Sequence, residues 1–412
     1  MMAHSGVERA SAPKSRLEWG VRALLAAGAA LLGYGAITQS LADALRSSSP
    51  ERAYRLAPGS AEIAAALSSN LSGPYGTPQD RARADTLARG ALRHDPVAVA
   101  AVSTLGLNAQ IRGDTPAARR AFAYAQKLTR RDLRTQLWAI EDAVARDDIP
   151  GALDQYDIAL RTGEGASDLL VPVLVNAIAE PPVRDALVRV LAKNPPWGRD
   201  FVIHAAAASS DPQATVALLN SMRQAGIFVP PAASARVIDA LLARGSAEAA
   251  WRYYASLHSG AGRQASRDPR FTIPREASTA FDWKPVEDPA LTATLEAADK
   301  GGRFDFVTSA GTGGPVLRQM QMLPPGEYVI EGTASVEQTD APPPYWLLAC
   351  ADGRELGRVE VALTSSRFAG RVRVPSDCPA QTLALVVRPS ERMASVAGQV
   401  TEARVRPVSA QP

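Results

Sequence analysis

The chain has 412 residues, of which 46% are hydrophobic and 21% are charged, and its formal net charge is +3. This apolar fraction excludes wholesale disorder, and the length is sufficient for two or three domains. The 45 basic residues are nearly balanced by 42 acidic ones and form no long basic block, which argues against a dedicated nucleic-acid-binding protein. Two cysteines and four histidines leave little material for a zinc or iron–sulfur site.

The N-terminus combines a polar leader with an uncharged segment. Residues 1–22 contain four basic side chains, and residues 23–42 contain no charge. A basic leader followed by an apolar run is typical of a signal peptide or a membrane anchor. We predict a cytoplasmic leader over 1–22 and a retained membrane helix over 23–45. A cleaved signal, with Ser40-Leu41-Ala42 as its cleavage site, and an ordinary buried helix remain as alternatives.

Residues 50–260 are rich in Ala, Leu and Arg, which predicts helices, and part of this stretch repeats itself. A small residue, an aromatic or second small residue, and an alanine recur at intervals of 34 residues. The three copies are Ala84, Ala88 and Ala91; Ala118, Phe122 and Ala125; and Ala152, Tyr156 and Ala159. In the middle copy Leu105-Gly106 precedes the set on the preceding helix. A non-repeating helical bundle is the alternative. Further along, prolines at 172, 181–182, 195–196, 212 and 230–231 predict helix starts.

These positions resemble the tetratricopeptide repeat, in which small residues let two helices cross closely and an aromatic fills the gap between pairs. The resemblance implies an α-solenoid in which the first helix of each pair lines a groove. That face would include Gln110, Arg134 and Glu141, which form a candidate site for an envelope protein. Their mixed charges argue against a cationic clamp for a terminal carboxylate, since only Arg134 suits one. Simple solvent exposure of all three is the alternative.

The hydrophobic pattern changes to an alternating one after residues 261–280, which have the composition of a linker. About eight short alternating segments over 281–408, separated by Pro- and Gly-containing turns, predict an antiparallel β-sandwich or jelly roll. The fold class is therefore multidomain: a membrane helix, an α-solenoid and a C-terminal sandwich. Cys350 and Cys378 both fall in the sandwich, and we predict a disulfide between them if the compartment is oxidising. Two free buried cysteines are the alternative.

The predicted sandwich is similar, by fold analogy alone, to the carbohydrate-binding type of jelly roll. Sugar binding requires exposed aromatic side chains with polar neighbours. Trp283 and Tyr345 are the candidate glycan-contact residues, whereas Trp346 shares a strand face with Cys350 and is assigned to the core.

Catalytic motifs do not emerge from the sequence. The histidines show no metal-ligand spacing, no nucleophile elbow is present, and the glycine-rich stretch 310–315 lacks the lysine of a phosphate-binding loop. We therefore predict no cofactor, no metal and no catalytic activity. A glycan-processing enzyme or subunit with an unrecognised active site is the alternative, and it would need a cleft holding two carboxylates.

The order of segments resembles uncharacterised membrane-anchored repeat proteins of Gram-negative bacteria, some of which accompany exopolysaccharide or cell-envelope loci. The stretches that carry this resemblance are 133–138, 159–162 and 195–197. This family has no assigned activity, so the resemblance adds context and no mechanism. The N-terminal segment and the pair of cysteines together favour a single-pass inner-membrane protein with most of the chain in the periplasm. The helical repeat and the lack of catalytic motifs favour a non-catalytic scaffold that binds an envelope protein or a polysaccharide.

Overall fold

The computed structural model describes residues 16–273, 276–337, 342–362, 365–389 and 395–408. Over these ranges fourteen helices precede ten strands. The chain divides into two compact units, with the boundary between Ser167 and Asp168.

The first unit is helical. Its helices are α1 (Arg16–Leu45), α2 (Pro50–Leu56), α3 (Ala61–Leu71), α4 (Pro78–His94), α5 (Val99–Ile111), α6 (Thr115–Leu128), α7 (Leu133–Ala145) and α8 (Ile149–Thr162). A further helix, α9 (Ala166–Ala177), contains the boundary between the units.

The helix α1 is the one described segment long and apolar enough to cross a membrane, over Trp19–Leu45. Its apolar side chains are largely exposed, as expected of a membrane anchor or a signal sequence. The end of the helix belongs to the folded unit, because Ala42 is buried in a cluster with Ala53 and Ile63.

The helices α3 to α8 form consecutive contacting pairs, α3 with α4, α5 with α6 and α7 with α8. The second helix of each pair carries a proline in its first turn, where the missing N–H costs nothing. Capping side chains satisfy the next free N–H groups: Asp114 accepts from Ala117 N at 3.0 Å, and Asp148 accepts from Gly151 N at 2.9 Å. The repeated Pro and Asp of the sequence thus start equivalent helices.

The 34-residue repeat corresponds to equivalent buried positions. Ala84, Ala88, Ala91, Ala118, Phe122, Ala125, Ala152, Tyr156 and Ala159 are all buried on the second helices of the pairs. In the middle pair a Cβ on Gly106 would lie 2.9 Å from the Phe122 ring, which itself stacks on Trp138 at 4.4 Å. The prediction of tetratricopeptide-like helix pairs is confirmed, and its small-plus-aromatic signature is a packing requirement.

Alanine substitution of two helical glycines is expected to have opposite effects. Gly90→Ala in α4 meets open space and should stabilise by about 0.5–1 kcal/mol, the usual gain for alanine over glycine in a helix. Gly106→Ala in α5 has the same propensity gain but forces the buried Phe122 ring to move, so it should destabilise by about 1–3 kcal/mol. Thermal unfolding of both variants measures the difference, and equal shifts would contradict the packing explanation.

The second unit contains five more helices before its strands. They are α10 (Pro181–Leu191), α11 (Gly198–Ala208), α12 (Pro212–Gln224), α13 (Pro231–Ala243) and α14 (Ala247–Leu257). Proline opens α10, α12 and α13, as predicted. The prediction is wrong for Pro172, which lies inside α9.

The strands form two five-stranded antiparallel sheets. They are β1 (Lys284–Pro285), β2 (Leu291–Glu296), β3 (Arg303–Thr308), β4 (Gly314–Gln321), β5 (Gly326–Val336), β6 (Tyr345–Cys350), β7 (Glu355–Glu360), β8 (Arg367–Val374), β9 (Gln381–Val387) and β10 (Val396–Pro407). The first sheet has the order β1-β4-β9-β6-β7 and the second β2-β3-β10-β5-β8. Alternate side chains of both sheets form one apolar core, which confirms the predicted β-sandwich.

The disulfide between Cys350 and Cys378 is present, with a Cα–Cα separation of 5.7 Å. Cys350 ends β6, and Cys378 lies in the turn that leads into β9, the neighbour of β6 in the first sheet. Both cysteines are buried. The prediction from the lone pair of cysteines is confirmed.

The stretch 261–280, predicted as a linker, connects the helices to the strands but does not extend freely. Ser266 N donates to Val405 O at 3.0 Å, and Ala403 N donates to Pro269 O at 2.9 Å, so the segment is bonded to β10. Phe271 belongs to the sandwich core. The linker prediction needs this correction, because a Gly- and Pro-rich composition reports irregular backbone and says nothing about packing.

Candidate functional site

Trp283, the first predicted glycan-contact residue, is a core residue. It is only 3% exposed and packs against Trp346 with ring centroids 5.8 Å apart. Its indole N–H donates to Asp268 O at 2.9 Å, which satisfies the one polar group of the side chain. The prediction is corrected: position 283 directly precedes β1, whose pairing with β4 places the ring between the sheets.

Tyr345, the second, lies at the start of β6 but offers no free ring face for stacking. It is 9% exposed, and two guanidinium groups cover it, Arg358 at 4.9 Å and Arg388 at 4.4 Å from the ring centroid. Arg388 is itself held by Glu360, whose pKa is lowered by that hydrogen bond. This prediction is also corrected, since the site that would stack a sugar is already occupied by arginine.

The same holds for the other aromatic side chains of the sandwich and its entering segment. All nine between positions 271 and 408 are described, and all are buried. They are Phe271, Phe281, Trp283, Phe304, Phe306, Tyr328, Tyr345, Trp346 and Phe368. A glycan bound to this surface would have to be recognised through polar and charged groups.

The first unit contains a groove of about 790 Å³. Of the three residues predicted to line a groove, Arg134 does so. Gln110 instead accepts a hydrogen bond from Trp138 Nε1 at 3.3 Å, and Glu141 is exposed on the surface. The structure therefore separates the three. Arg134 and Glu141 lie seven residues apart on α7, which is about two turns or roughly 10 Å along the helix, and Gln110 is on α5.

The first helices α3, α5 and α7 contribute to the groove together with α2, α4 and the segments that follow α1 and α3. The groove is lined by Arg46, Ser47, Pro50, Ala66, Ser69, Asn70, Leu71, Gly73, Pro74, Tyr75, Gly76, Asp80, Ala100 and Arg134. The Tyr75 side chain is 98% exposed at its rim. A mixed lining of small, polar and basic groups suits an extended peptide more than a compact apolar ligand.

The charges in the groove are not equally available. Asp80 caps α4, where its carboxylate accepts from Thr77, and these bonds lower its pKa. Arg46 is paired with Glu62. Among the described residues, Arg134 in contrast makes a single, long hydrogen bond, at 3.5 Å to Ser69 O. Its guanidinium is thus the charge in the groove that is best placed to bind an incoming carboxylate.

Sequence reasoning missed most of this groove. It rejected a cationic site because only Arg134 lay on the expected helix face. The structure adds Arg46 and Asn70 from other elements, together with Tyr75. The one local signal was the aromatic residue within Gly73-Pro74-Tyr75-Gly76, since a tyrosine in a tight turn has no helical packing role to account for it.

A second, smaller groove of about 440 Å³ crosses the outer face of the second sheet. It contains two carboxylates, Asp305 and Glu337, beside Thr292 and Gln399. Asp305 accepts hydrogen bonds from Gln399 at 2.7 Å and from Arg303 at 2.9 Å.

Among the residues that the structure describes, no group of three or more His, Cys, Asp or Glu side chains is placed to hold a metal ion. The histidines lie apart: His94 ends α4, and the His258 ring packs on Tyr254 with centroids 4.4 Å apart.

Comparison with known proteins gives likenesses of fold only. No protein-family model matches the chain, and no curated protein matches it. Solved structures that resemble it include the TmCBM61 module in complex with β-1,4-galactotriose, at 15% identity and a TM-score of 0.24, covering 36% of this chain and 97% of that one. The type IV pilus biogenesis factor PilW matches at 15% identity and a TM-score of 0.22, covering 48% of this chain and 93% of that one. The glycosylation-associated Gap123 complex from Streptococcus agalactiae matches at 7% identity and a TM-score of 0.20, covering 28% of this chain and 39% of that one. At these values they carry no argument about ligands.

Proposed function

We propose that the protein is a non-catalytic, membrane-anchored adaptor of the periplasm, whose helical groove holds an extended segment of a partner protein. The observation that carries this proposal is the groove over α3, α5 and α7, with the weakly bonded Arg134 inside it and the exposed Tyr75 at its rim. Repeated helix pairs bury one face against each other and leave such a groove as their usual binding surface.

The anchor and the disulfide support the proposed location. The helix α1 is long enough to remain in the inner membrane, and a disulfide within the second unit is typical of a compartment outside the cytoplasm. Fixing the chain at the membrane raises the effective concentration of the groove for partners in the same envelope. A role in exopolysaccharide or envelope assembly is the setting that this arrangement favours.

The groove is tested with a photo-crosslinking amino acid at position 75 of the full chain in intact cells. We expect a discrete adduct, because this side chain is almost fully exposed at the rim. Arg134→Glu should reduce the adduct at least tenfold, since it turns the available positive charge of the groove into a negative one. Arg131→Glu is the matched control, as it makes the same charge change at an exposed position outside the groove.

An adduct that is unchanged in Arg134→Glu, or lost equally in both variants, would contradict a groove-bound partner. The enzyme alternative has its own readout. If the purified full chain steadily releases cleaved or modified product from a cell-surface polysaccharide, the adaptor hypothesis is wrong and the protein is a glycan-processing enzyme.

A further inference from the structure

The outer face of β8 carries three exposed arginines, Arg367, Arg371 and Arg373, which we name the β8 arginine row. The alternate residues Phe368, Val372 and Val374 of this strand point into the core and fix the orientation of the row. With a rise of about 3.3 Å per residue, the row extends roughly 20 Å along the sheet. It lies on an edge strand, because β8 is the last strand of the second sheet.

The charges of the row are largely uncompensated. Arg367 and Arg371 have no acidic partner among the described residues, and Arg373 approaches Glu327 only to 3.6 Å, with both side chains mostly exposed. On the neighbouring strands β5 and β10 the charges are paired: Arg406 of β10 donates to both carboxylate oxygens of Glu331 of β5 at 2.9 Å. This pairing lowers the pKa of Glu331, so the pair stays intact at neutral pH. The available positive charge of this face is therefore concentrated on β8.

The surroundings of the row restrict its ligand. On the adjacent strand, Thr333 lies opposite Arg367, Val329 opposite Arg371 and Glu327 opposite Arg373. Glu331 lies opposite Ala369, between the arginines, and its carboxylate is bound to Arg406. No exposed aromatic lies on the sandwich to stack a nucleic-acid base, and no large exposed apolar side chain lies on β8 to enter a lipid layer. What remains is a linear array of guanidinium groups, which match carboxylates in paired hydrogen bonds.

We propose that the β8 arginine row binds an acidic polysaccharide, with its carboxylates on Arg367, Arg371 and Arg373 and the polymer lying along β8. This site is separate from the helical groove and does not depend on the function proposed for it. At this site the polysaccharide is recognised through its charge. Recognition by aromatic stacking is excluded for Trp283 and Tyr345 because both side chains are buried.

The test measures binding of the full-length protein in detergent to polygalacturonate, with neutral dextran as the uncharged comparison. We expect polygalacturonate to bind, with affinity falling as salt is added, and dextran not to bind. Arg367→Gln with Arg371→Gln should weaken binding at least tenfold. Arg367→Lys with Arg371→Lys should restore part of the binding, because lysine keeps the charge but lacks the planar fork of arginine. Such recovery separates loss of charge from loss of folding.

Arg303→Gln with Arg354→Gln is the matched control, because both are exposed arginines of the same sandwich and the net charge change is identical. Equal weakening by this pair, or no binding of polygalacturonate, would overturn the proposal. Tighter binding to phosphatidylglycerol vesicles through the same two arginines would also overturn it, in favour of a membrane surface. If the glutamine variant loses solubility but binds polygalacturonate unchanged, the proposal is also wrong. The arginines would then serve only to keep the exposed edge strand β8 from pairing with strands of other molecules.

Discussion

Arg267→Ala is expected to lower the free energy of unfolding of the second unit by about 3–5 kcal/mol, because it leaves buried carbonyl groups without a donor and opens a cavity. Arg267 is only 9% exposed. Its guanidinium donates to the backbone carbonyls of Phe281, at 2.8 Å, and Met320. It also lies over the ring of Trp251 at 4.9 Å and that of Tyr254 at 5.6 Å.

The truncation removes these contacts together. It leaves two buried carbonyls without their donor, each costing about 1–3 kcal/mol, and it opens a gap beneath the rings. Because Trp251 and Tyr254 belong to α14 while Phe281 and Met320 belong to the sandwich region, the side chain holds the last helix against the strands. Arg267→Lys keeps the charge but loses the planar fork and should have an intermediate effect.

Urea unfolding followed by tryptophan fluorescence measures the change. Arg263→Ala is the matched control: Arg263 lies four residues earlier in the sequence, is partly exposed, contacts the same Trp251 ring at 5.8 Å and pairs with Glu248. A partly exposed pair of this kind contributes less than about 1 kcal/mol. Similar losses for both variants would mean that Arg267 is not the residue that joins helix and sandwich.

Removing the disulfide is expected to cost about 3.5 kcal/mol. Cys350 and Cys378 are 28 residues apart in sequence, and the chain-entropy estimate for closing a loop of this size is about 3.5 kcal/mol. The loop contains β7 and β8, so reduction should loosen the edges of both sheets first.

Dithiothreitol should therefore lower the unfolding midpoint of the wild-type chain. It should leave the midpoint of Cys350→Ala with Cys378→Ala unchanged, because that variant has no bond to reduce. An identical midpoint for oxidised and reduced wild type would contradict a stabilising role, and it would weaken the argument for an oxidising compartment.

The parts of the fold that could be predicted are those that depend on the spacing of hydrophobic residues within a short stretch of sequence. Helix pairs repeat in structure because Ala118, Phe122 and Ala125 lie on one helix face, and such a face is a property of spacing alone. In the strands, buried and exposed side chains alternate because successive residues of a strand point to opposite faces of the sheet. The disulfide followed from there being only two cysteines in one small domain, which left a single intramolecular pairing to consider.

The candidate sites depended on partners far away in sequence. Tyr345 has the composition of a sugar platform, yet Arg388, 43 positions later, covers its ring because β6 and β9 are neighbours. Arg134 is the only basic residue of its own helix, α7, whereas the fold brings Arg46 and Asn70 from other elements into the same groove.

The sequence by itself determined the order of N-terminal apolar helix, helical repeats and sandwich, because periodicity is set by residues only a few positions apart. Tertiary structure alone decided which side chains remain available. Burial removed Trp283, ion pairing occupied Arg406, and the pairing of β8 at the sheet edge left Arg367 and Arg371 exposed without a partner among the described residues. Availability for binding depends on what long-range packing has already covered, and that is a property no single segment contains.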